Sequence, residues 1–148
     1  MAELVKNKKV FFDYFVVASY EAGIELRGHE VKSVKKGQIS LQGSYVIVRG
    51  NEAFLLNSDI PPYQPLNVPD GYDPKRTRRL LLKKEELKEL IGKSKEARLT
   101  IVPLSVYTKG KKQLIKVSVG LVRSKRKHDK REVIKKRETE REIRRSIK

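Results

Sequence analysis

Apolar residues in the first part of the chain follow the short runs and alternation typical of β-strands. Val10 to Ala18 is rich in Phe, Tyr and Val, and a second apolar run, Ile24 to Leu26, follows the sequence Glu21-Ala22-Gly23. Aromatic and β-branched residues favour strands, and a glycine between two such runs favours a turn. This pattern predicts a first hairpin.

Two further hairpins are predicted downstream. Tyr45 to Arg49 and Ala53 to Leu56 flank Gly50-Asn51, a pair that tolerates the positive φ angles of a tight turn. Leu99 to Tyr107 and Leu114 to Val122 flank a Lys-Gly turn. In the second run of this last pair, every other residue is apolar and falls on one face: Ile115, Val117, Val119 and Leu121.

Helical spacing occurs at two places. Val31 and Val34 lie three apart and are followed by Gly37, the residue type favoured just beyond a helix C-terminus, which predicts a short helix. Lys84 to Ala97 carries Leu87, Leu90 and Ile91 at helical spacing, which predicts a second helix. Five of the six prolines lie between positions 61 and 74, so that segment is expected to be a long surface loop.

Some six strands and few helices predict a mainly β fold. The expected architecture is a small closed antiparallel OB-like β-barrel with two or three short helices, formed by residues 1–122. Residues 123–148 are expected to be a separate basic tail, because they contain 13 Lys or Arg, 5 Asp or Glu and no aromatic residue. Such a segment cannot supply a hydrophobic core of its own.

Composition narrows the class of partner. The formal charge of +17 over 148 residues favours a polyanion, and nucleic acid more than an anionic membrane surface. No apolar run approaches the ~20 residues needed to cross a bilayer, and the N-terminus lacks the layout of a signal peptide, so a cytoplasmic protein is expected. With no cysteine and two distant histidines, neither a metal site nor a cofactor is expected.

No catalytic residue is predicted, and the chain is not expected to be an enzyme. The sequence lacks a Gly-x-Ser-x-Gly elbow, a dinucleotide-binding fingerprint and a His-Glu-x-x-His motif. One enzymatic alternative is a metal-dependent nuclease that uses Asp70 and Asp73. In the context Pro-Asp-Gly-Tyr-Asp-Pro, these carboxylates are more typical of turns.

Candidate RNA contacts are concentrated in two places in the body of the chain. Arg76, Arg78 and Arg79 belong to a cluster of four basic residues between the proline-rich loop and Leu80, where guanidinium groups suit phosphate oxygens. The alternative is an exposed cluster that only blocks strand-edge pairing. Asn7-Lys8-Lys9 is a second candidate, or else a solvated arm.

Glu30 and the tail call for separate interpretations. A carboxylate such as Glu30 repels phosphate but accepts hydrogen bonds from base amino groups or ribose hydroxyls, or it places negative charge near a helix N-terminus.

In the tail, Asp129 and Glu132 suit a helix start, and Glu132/Lys136 and Glu140/Arg144 have helical spacing. We expect the tail to be disordered when free and helical when bound.

Several ordered motifs together resemble the small protein B family of bacterial tmRNA-binding proteins. They are Tyr20-Glu21-Ala22-Gly23, Gly28-His29-Glu30-Val31-Lys32-Ser33, the stretch from Asp73 to Leu82, and His128-Asp129-Lys130-Arg131. The resemblance extends from about Asn7 to the end of the chain. It departs from the family pattern at His29, at Lys35-Lys36 and at Ser124.

The resemblance implies an adaptor that binds the tRNA-like domain of tmRNA and carries it, with elongation factor Tu, into stalled ribosomes for trans-translation. By motif alignment, Asn7, Glu30 and Lys32 match tmRNA-facing positions, and Lys8, Lys9, Arg76, Arg78 and Arg79 complete the expected tmRNA surface. The tail is expected to enter the empty mRNA channel at the decoding region of the small ribosomal subunit. Its expected ribosome contacts are Lys125, Arg126, Lys127, His128, Asp129, Lys130, Arg131, Lys135, Lys136 and Arg137. The alternative is a general ribosomal or single-strand RNA-binding OB protein.

Overall fold

The computed structural model describes residues 2–63, 70–97 and 99–124 of the chain. Strands dominate this part of the molecule, and three helices lie between them. In chain order the elements are β1 (Ala2–Lys6), α1 (Lys8–Asp13), β2 (Tyr14–Ile24), α2 (Gly28–Lys35), β3 (Tyr45–Arg49), β4 (Glu52–Leu56), β5 (Arg78–Leu81), α3 (Lys84–Ala97), β6 (Thr100–Lys109) and β7 (Leu114–Ser124).

All seven strands form one antiparallel sheet in the order β1-β6-β7-β2-β5-β4-β3. The mainly β prediction is therefore confirmed, but the closed barrel is not. Within the described residues the ladders leave β1 and β3 as the two edges of the sheet. Cα atoms of β3 come within 8 Å of Cα atoms of β6, so the sheet curls back on itself without hydrogen-bonded closure.

The predicted first hairpin is wrong. Lys8–Asp13 is a short helix, and one continuous strand, β2, runs from Tyr14 through the expected turn to Ile24. Ala22 is fully buried, and a Cβ built on Gly23 would lie 3.3 Å from the Cβ of Leu81 on the adjacent strand. The glycine therefore allows two strands to approach closely instead of forming a turn.

The other two predicted hairpins and the two predicted helices of the body are present, whereas residues 64–69 of the expected proline-rich loop lie outside the described residues. The turn between β3 and β4 has φ angles of 55° at Gly50 and 64° at Asn51, as a tight hairpin requires. α2, α3 and the β6–β7 hairpin occupy their expected places, and β1 is the strand that the apolar pattern missed. β7 extends to Ser124 and Arg123 pairs with Phe15, so residues 123 and 124, which were assigned to the expected tail, belong to the sheet.

Two groups of apolar side chains form the core. The larger group lies between the sheet and the buried faces of α2 and α3, which contribute Val34, Leu87 and Leu90. The smaller group joins Val10 of α1 to three residues of β6 and β7, namely Val102, Leu104 and Val122. α1 is thus held to the sheet by one buried residue, and its other apolar side chains stay exposed. No helix in the described ranges is long and apolar enough to cross a membrane.

The packing around Gly120 on β7 leaves no room for a side chain. A Cβ at this position would lie 2.6 Å from Cγ of the buried Leu104. We expect Gly120→Ala to lower the free energy of unfolding by about 1–3 kcal/mol through overpacking. Gly92 on α3 has nothing within 4 Å of the built Cβ, so Gly92→Ala should raise stability by up to about 1 kcal/mol. Urea unfolding of both variants provides the comparison, and a loss of stability in each would contradict this account.

Candidate nucleic-acid interface

Glu30 lies at the centre of a buried ionic cluster. Its carboxylate has no solvent exposure and accepts six hydrogen bonds. One comes from the backbone N–H of Arg27 at 2.7 Å and one from the Tyr72 hydroxyl at 3.1 Å. The other four come from the guanidinium groups of Arg76 and Arg78. The charge is thus removed from water but fully paired.

Arg78 is equally buried, and each of its three nitrogens donates. Nε and Nη2 contact Glu30 at 2.9 and 2.6 Å, and Nη1 donates to the backbone oxygen and hydroxyl of Ser58, both at 3.1 Å. Nη2 also donates to the backbone oxygen of Pro74 at 3.0 Å. Because side chains alternate along a strand, Arg78 and Leu80 of β5 point inward while Arg79 and Leu81 point outward.

The cluster controls the ionisation of Glu30. Burial raises the pKa of this carboxyl, but hydrogen bonds from Arg76, from the Arg27 backbone and from Arg78 outweigh it and set the pKa at about 2. Glu30 also follows the α2 N-terminus, where negative charge is favoured. The carboxylate therefore stays ionised at neutral pH and ties α2 to β5 and to the segment before it.

Three of the residues predicted to contact RNA are buried in the folded protein. Glu30 and Arg78 have no exposed surface. Asn7 is 5% exposed, and its side-chain amide donates to the backbone oxygens of Pro103 at 2.9 Å and Leu41 at 3.4 Å. Their side chains form hydrogen bonds that join distant segments of the chain, so these residues help to hold the fold together.

The other predicted body residues reach the surface in different surroundings. Lys8 and Lys9 are exposed on α1, and Lys32 is exposed on α2. Arg76 is partly exposed but bound to Glu30. Arg79 is exposed and pairs with Glu25 and Glu52, each at 3.2 Å. The tail residues, from Lys125 to Arg137, lie outside the described part of the chain.

A groove that the sequence did not reveal lies where β2, β5 and β7 meet. Two adjoining clefts of about 320 and 470 Å³ share Gly23, Leu81 and Lys116. Leu81 and Leu114 are 47% and 55% exposed, so the groove has an apolar floor. Around it stand five lysines: Lys35, Lys83, Lys109, Lys112 and Lys116.

The charges of this groove favour an anionic ligand. Its described lining contains two carboxylates, Glu21 and Glu86, against the five lysines. Glu21 accepts from Lys109 at 3.0 Å, and this hydrogen bond lowers the pKa of Glu21. The only sequence signal for the groove was the alternation along β5 and β7, which places Leu81 and Lys116 on outward faces. Apolar surface surrounded by lysines suits the bases and phosphates of RNA.

The carboxylates considered for a nuclease are not arranged as a metal site. Asp73 accepts a hydrogen bond from the backbone N–H of Lys75 at 3.0 Å, and Asp70 is exposed in a turn. Across residues 2–63, 70–97 and 99–124, no three His, Cys, Asp or Glu side chains are grouped to hold a metal ion. Asp73 thus acts in turn formation, as its sequence context indicated.

Comparison with known proteins gives consistent results. The family model described as SmpB protein matches residues 4–148. An SsrA-binding protein of Thermosipho melanesiensis is 45% identical over 148 residues, covering 100% of this chain and 99% of that protein. One from Gloeothece citriformis is 43% identical over 145 residues, covering 98% of this chain and 92% of the relative. A solved structure described as "tmRNA-SmpB: a journey to the center of the bacterial ribosome" matches with a TM-score of 0.67 and 40% identity, covering 82% of this chain and 83% of that chain.

Removing the charge of Glu30 should destabilise the fold. We expect Glu30→Gln to lower the free energy of unfolding at pH 7 by about 3–5 kcal/mol, because Arg78 would remain buried without its counter-charge. The exposed Glu89, which pairs with Lys93 at 2.6 Å, provides the control. Glu89→Gln should leave the stability nearly unchanged, because exposed ion pairs contribute little.

The loss of stability caused by Glu30→Gln should become smaller as the pH falls. The pKa of Glu30 lies near 2 in the folded state, below its ordinary value of 4.5. Its contribution is therefore fully present above roughly pH 5 and disappears as the pH falls toward 2. In urea titrations, the stability difference between the wild type and Glu30→Gln should narrow from pH 7 to pH 3. A constant difference over this range would show that the ionisation of Glu30 is not responsible.

Proposed function

This chain belongs to the SmpB protein family, and from this membership we propose that it is an RNA-binding adaptor for tmRNA, also called SsrA RNA. It delivers that RNA to stalled ribosomes for trans-translation, which rescues the ribosome and tags the incomplete protein. The relatives are named for SsrA binding, and the related solved structure concerns tmRNA-SmpB and the bacterial ribosome. The protein acts by binding, not by catalysis.

The tRNA-like domain of tmRNA binds in the groove between β2, β5 and β7. The observation that carries this assignment is the set of five lysines around the exposed Leu81. Lysine ammonium groups bind backbone phosphates, and Leu81 and Leu114 offer an apolar surface for an unstacked base or a ribose. Lys32 on α2 adds positive charge near Tyr63, where its Nζ lies 5.9 Å from the ring centroid.

The buried cluster has a positioning role in this function. α2 contributes Val31 and Lys35 to the groove, and β5 contributes Leu81. The salt bridge between Glu30 of α2 and Arg78 of β5 holds these two elements together from the inside. Glu30 and Arg78 thus support tmRNA binding without contacting the RNA, which explains why residues of a family motif can be buried.

The ribosome is the second partner, and the basic tail is the segment that reaches it. The described chain ends on β7 at Ser124, eight residues beyond Lys116 of the groove. A strand of that length spans roughly 26 Å, so the tail leaves the body well away from the tmRNA site. Residues 125–148 then enter the empty mRNA channel at the decoding region while elongation factor Tu accompanies the tmRNA.

Lys116 offers the sharpest test of the groove. We expect Lys116→Ala to weaken binding of the isolated tRNA-like domain several-fold and to reduce the slope of log affinity against log salt by about 1, because one phosphate contact is lost. Lys88 is exposed on α3 and does not line the groove, so Lys88→Ala should leave both values unchanged. Fluorescence anisotropy from 50 to 300 mM salt measures both quantities. Equal losses in the two variants would favour diffuse attraction over a specific groove.

Deleting the tail should affect the proposed tmRNA and ribosome interactions differently. A chain ending at Ser124 keeps the whole sheet and the groove, so its affinity for the tRNA-like domain should fall less than about tenfold. Tagging of a truncated nascent chain in a reconstituted translation system should be lost. Tagging at the normal rate by the shortened chain would rule out the proposed role of residues 125–148.

A further inference from the structure

Three exposed aromatic side chains lie on α1 and at the start of β2, at the opposite end of the β2–β7 ladder from the groove. Phe11 and Phe12 of α1 and Phe15 of β2 are 40%, 64% and 39% exposed, and we call these three residues the aromatic patch. Val16 and Val17, which follow Phe15 on β2, are 39% and 53% exposed. A monomer that exposes this many large apolar side chains in succession commonly uses them to bind a partner.

Positive charge surrounds the aromatic patch. The Nζ atom of Lys6 lies 4.7 Å from the centroid of the Phe11 ring, and the Cζ atom of Arg123 lies 5.4 Å from that of Phe15. Next to Lys6 is a cleft of about 370 Å³ whose lining includes Lys6, Lys8 and Lys9. No carboxylate is among the described residues that line this cleft. Phe11 contacts Lys6 of this cleft, and Phe12 follows Lys8 and Lys9 at helical spacing on α1, so these two rings lie beside a cleft suited to an anion.

The patch is separate from the groove. Phe15 pairs with Arg123, whereas Gly23, which lines the groove, pairs with Lys116. Gly23 lies eight positions after Phe15 on β2, which corresponds to roughly 26 Å along the strand. A ligand of nucleotide size cannot occupy both places.

We propose that the aromatic patch and the Lys6–Lys9 cleft form a second RNA site, which takes a single-stranded segment with unpaired bases. Lysine ammonium groups in the cleft bind the phosphates, and a base stacks on the Phe12 ring. Base stacking on aromatic side chains beside a basic groove is the usual chemistry of single-strand binding. A paired RNA helix does not offer its base faces in this way.

The charges of the patch favour RNA over the other possible occupants. The chain's own residues 125–148 carry more Lys and Arg than Asp and Glu, so the lysines of the cleft repel that segment. A second copy would bring the same lysines against each other. A polyanion with exposed ring faces satisfies both the cations and the phenylalanines.

The absence of tryptophan from the chain makes the site directly observable. In the full-length Phe12→Trp variant, the new indole is the sole tryptophan, and a stacked base should quench its emission. We expect a ten-nucleotide oligouridine to quench this emission, and an abasic oligomer with the same phosphates to leave it nearly unchanged. Full quenching by the abasic oligomer would overturn the proposal, because phosphates alone would then account for binding.

Affinity measurements supply the second test. Phe12→Leu keeps apolar surface but removes the ring, and we expect it to bind oligouridine roughly tenfold more weakly than the wild type. Phe12→Trp should bind as well as the wild type, and duplex RNA of the same length should not discriminate among the three proteins. Wild-type affinity in Phe12→Leu would overturn the stacking site. A second result would also overturn it. If the emission of Phe12→Trp, measured without RNA, shifts with protein concentration or on removal of residues 125–148, then a protein segment covers the patch.

The tmRNA groove is assayed independently. Phe12→Leu should bind the tRNA-like domain normally, and Lys116→Ala should bind oligouridine normally. If the wild type fails to bind the tRNA-like domain but oligouridine still quenches the Phe12→Trp variant, the proposed function is wrong and the second site stands. If tRNA-like binding is normal and quenching is absent, only the second site is wrong.

Discussion

The pairing of Glu30 with Arg78 and Arg76 is the interaction on which the remaining structure depends. A carboxylate and a guanidinium without any solvent contact are tolerable in a protein interior only when almost every donor and acceptor is used. Here six hydrogen bonds reach the Glu30 carboxylate, and each nitrogen of Arg78 donates. This geometry allows one placement of α2 against β5, because any displacement would leave a buried charge unpaired.

The outer surface follows from that inner constraint. With Arg78 directed inward, strand alternation turns Leu81 outward, and α2 brings Lys35 to the same groove. Lysines of β6, β7 and the turn between them complete it, which gives an apolar floor within a basic rim. The ladder between β2 and β7 then carries the groove at one end and the aromatic patch at the other. The two surfaces proposed to bind RNA thus lie about a strand's length apart on the sheet.

Local patterns predicted those elements whose cause is local. Gly50-Asn51 requires positive φ, the β7 run alternates, and the leucines of α3 recur at helical spacing, so each of these elements was identified correctly. Gly23 was misjudged because its neighbour Leu81 lies 58 positions away in the chain, and only the paired strands show the close approach. Asn7 was taken for a surface residue for a similar reason, since its acceptors belong to Leu41 and Pro103.

The sequence by itself determined the chemical class of the partner, the family and most of the strands. Net charge, motif order and the periodicity of apolar residues are properties of the chain that need no knowledge of contacts. Only the tertiary structure decided which members of the basic and acidic motifs are buried and which are exposed. Glu30 and Arg78 are 48 positions apart, and their mutual burial depends on a contact that local spacing does not encode. Folding thus placed Glu30 and Arg78 inside and left five lysines from separate parts of the chain around the groove, because a charge buried in a protein needs a partner and one in water does not.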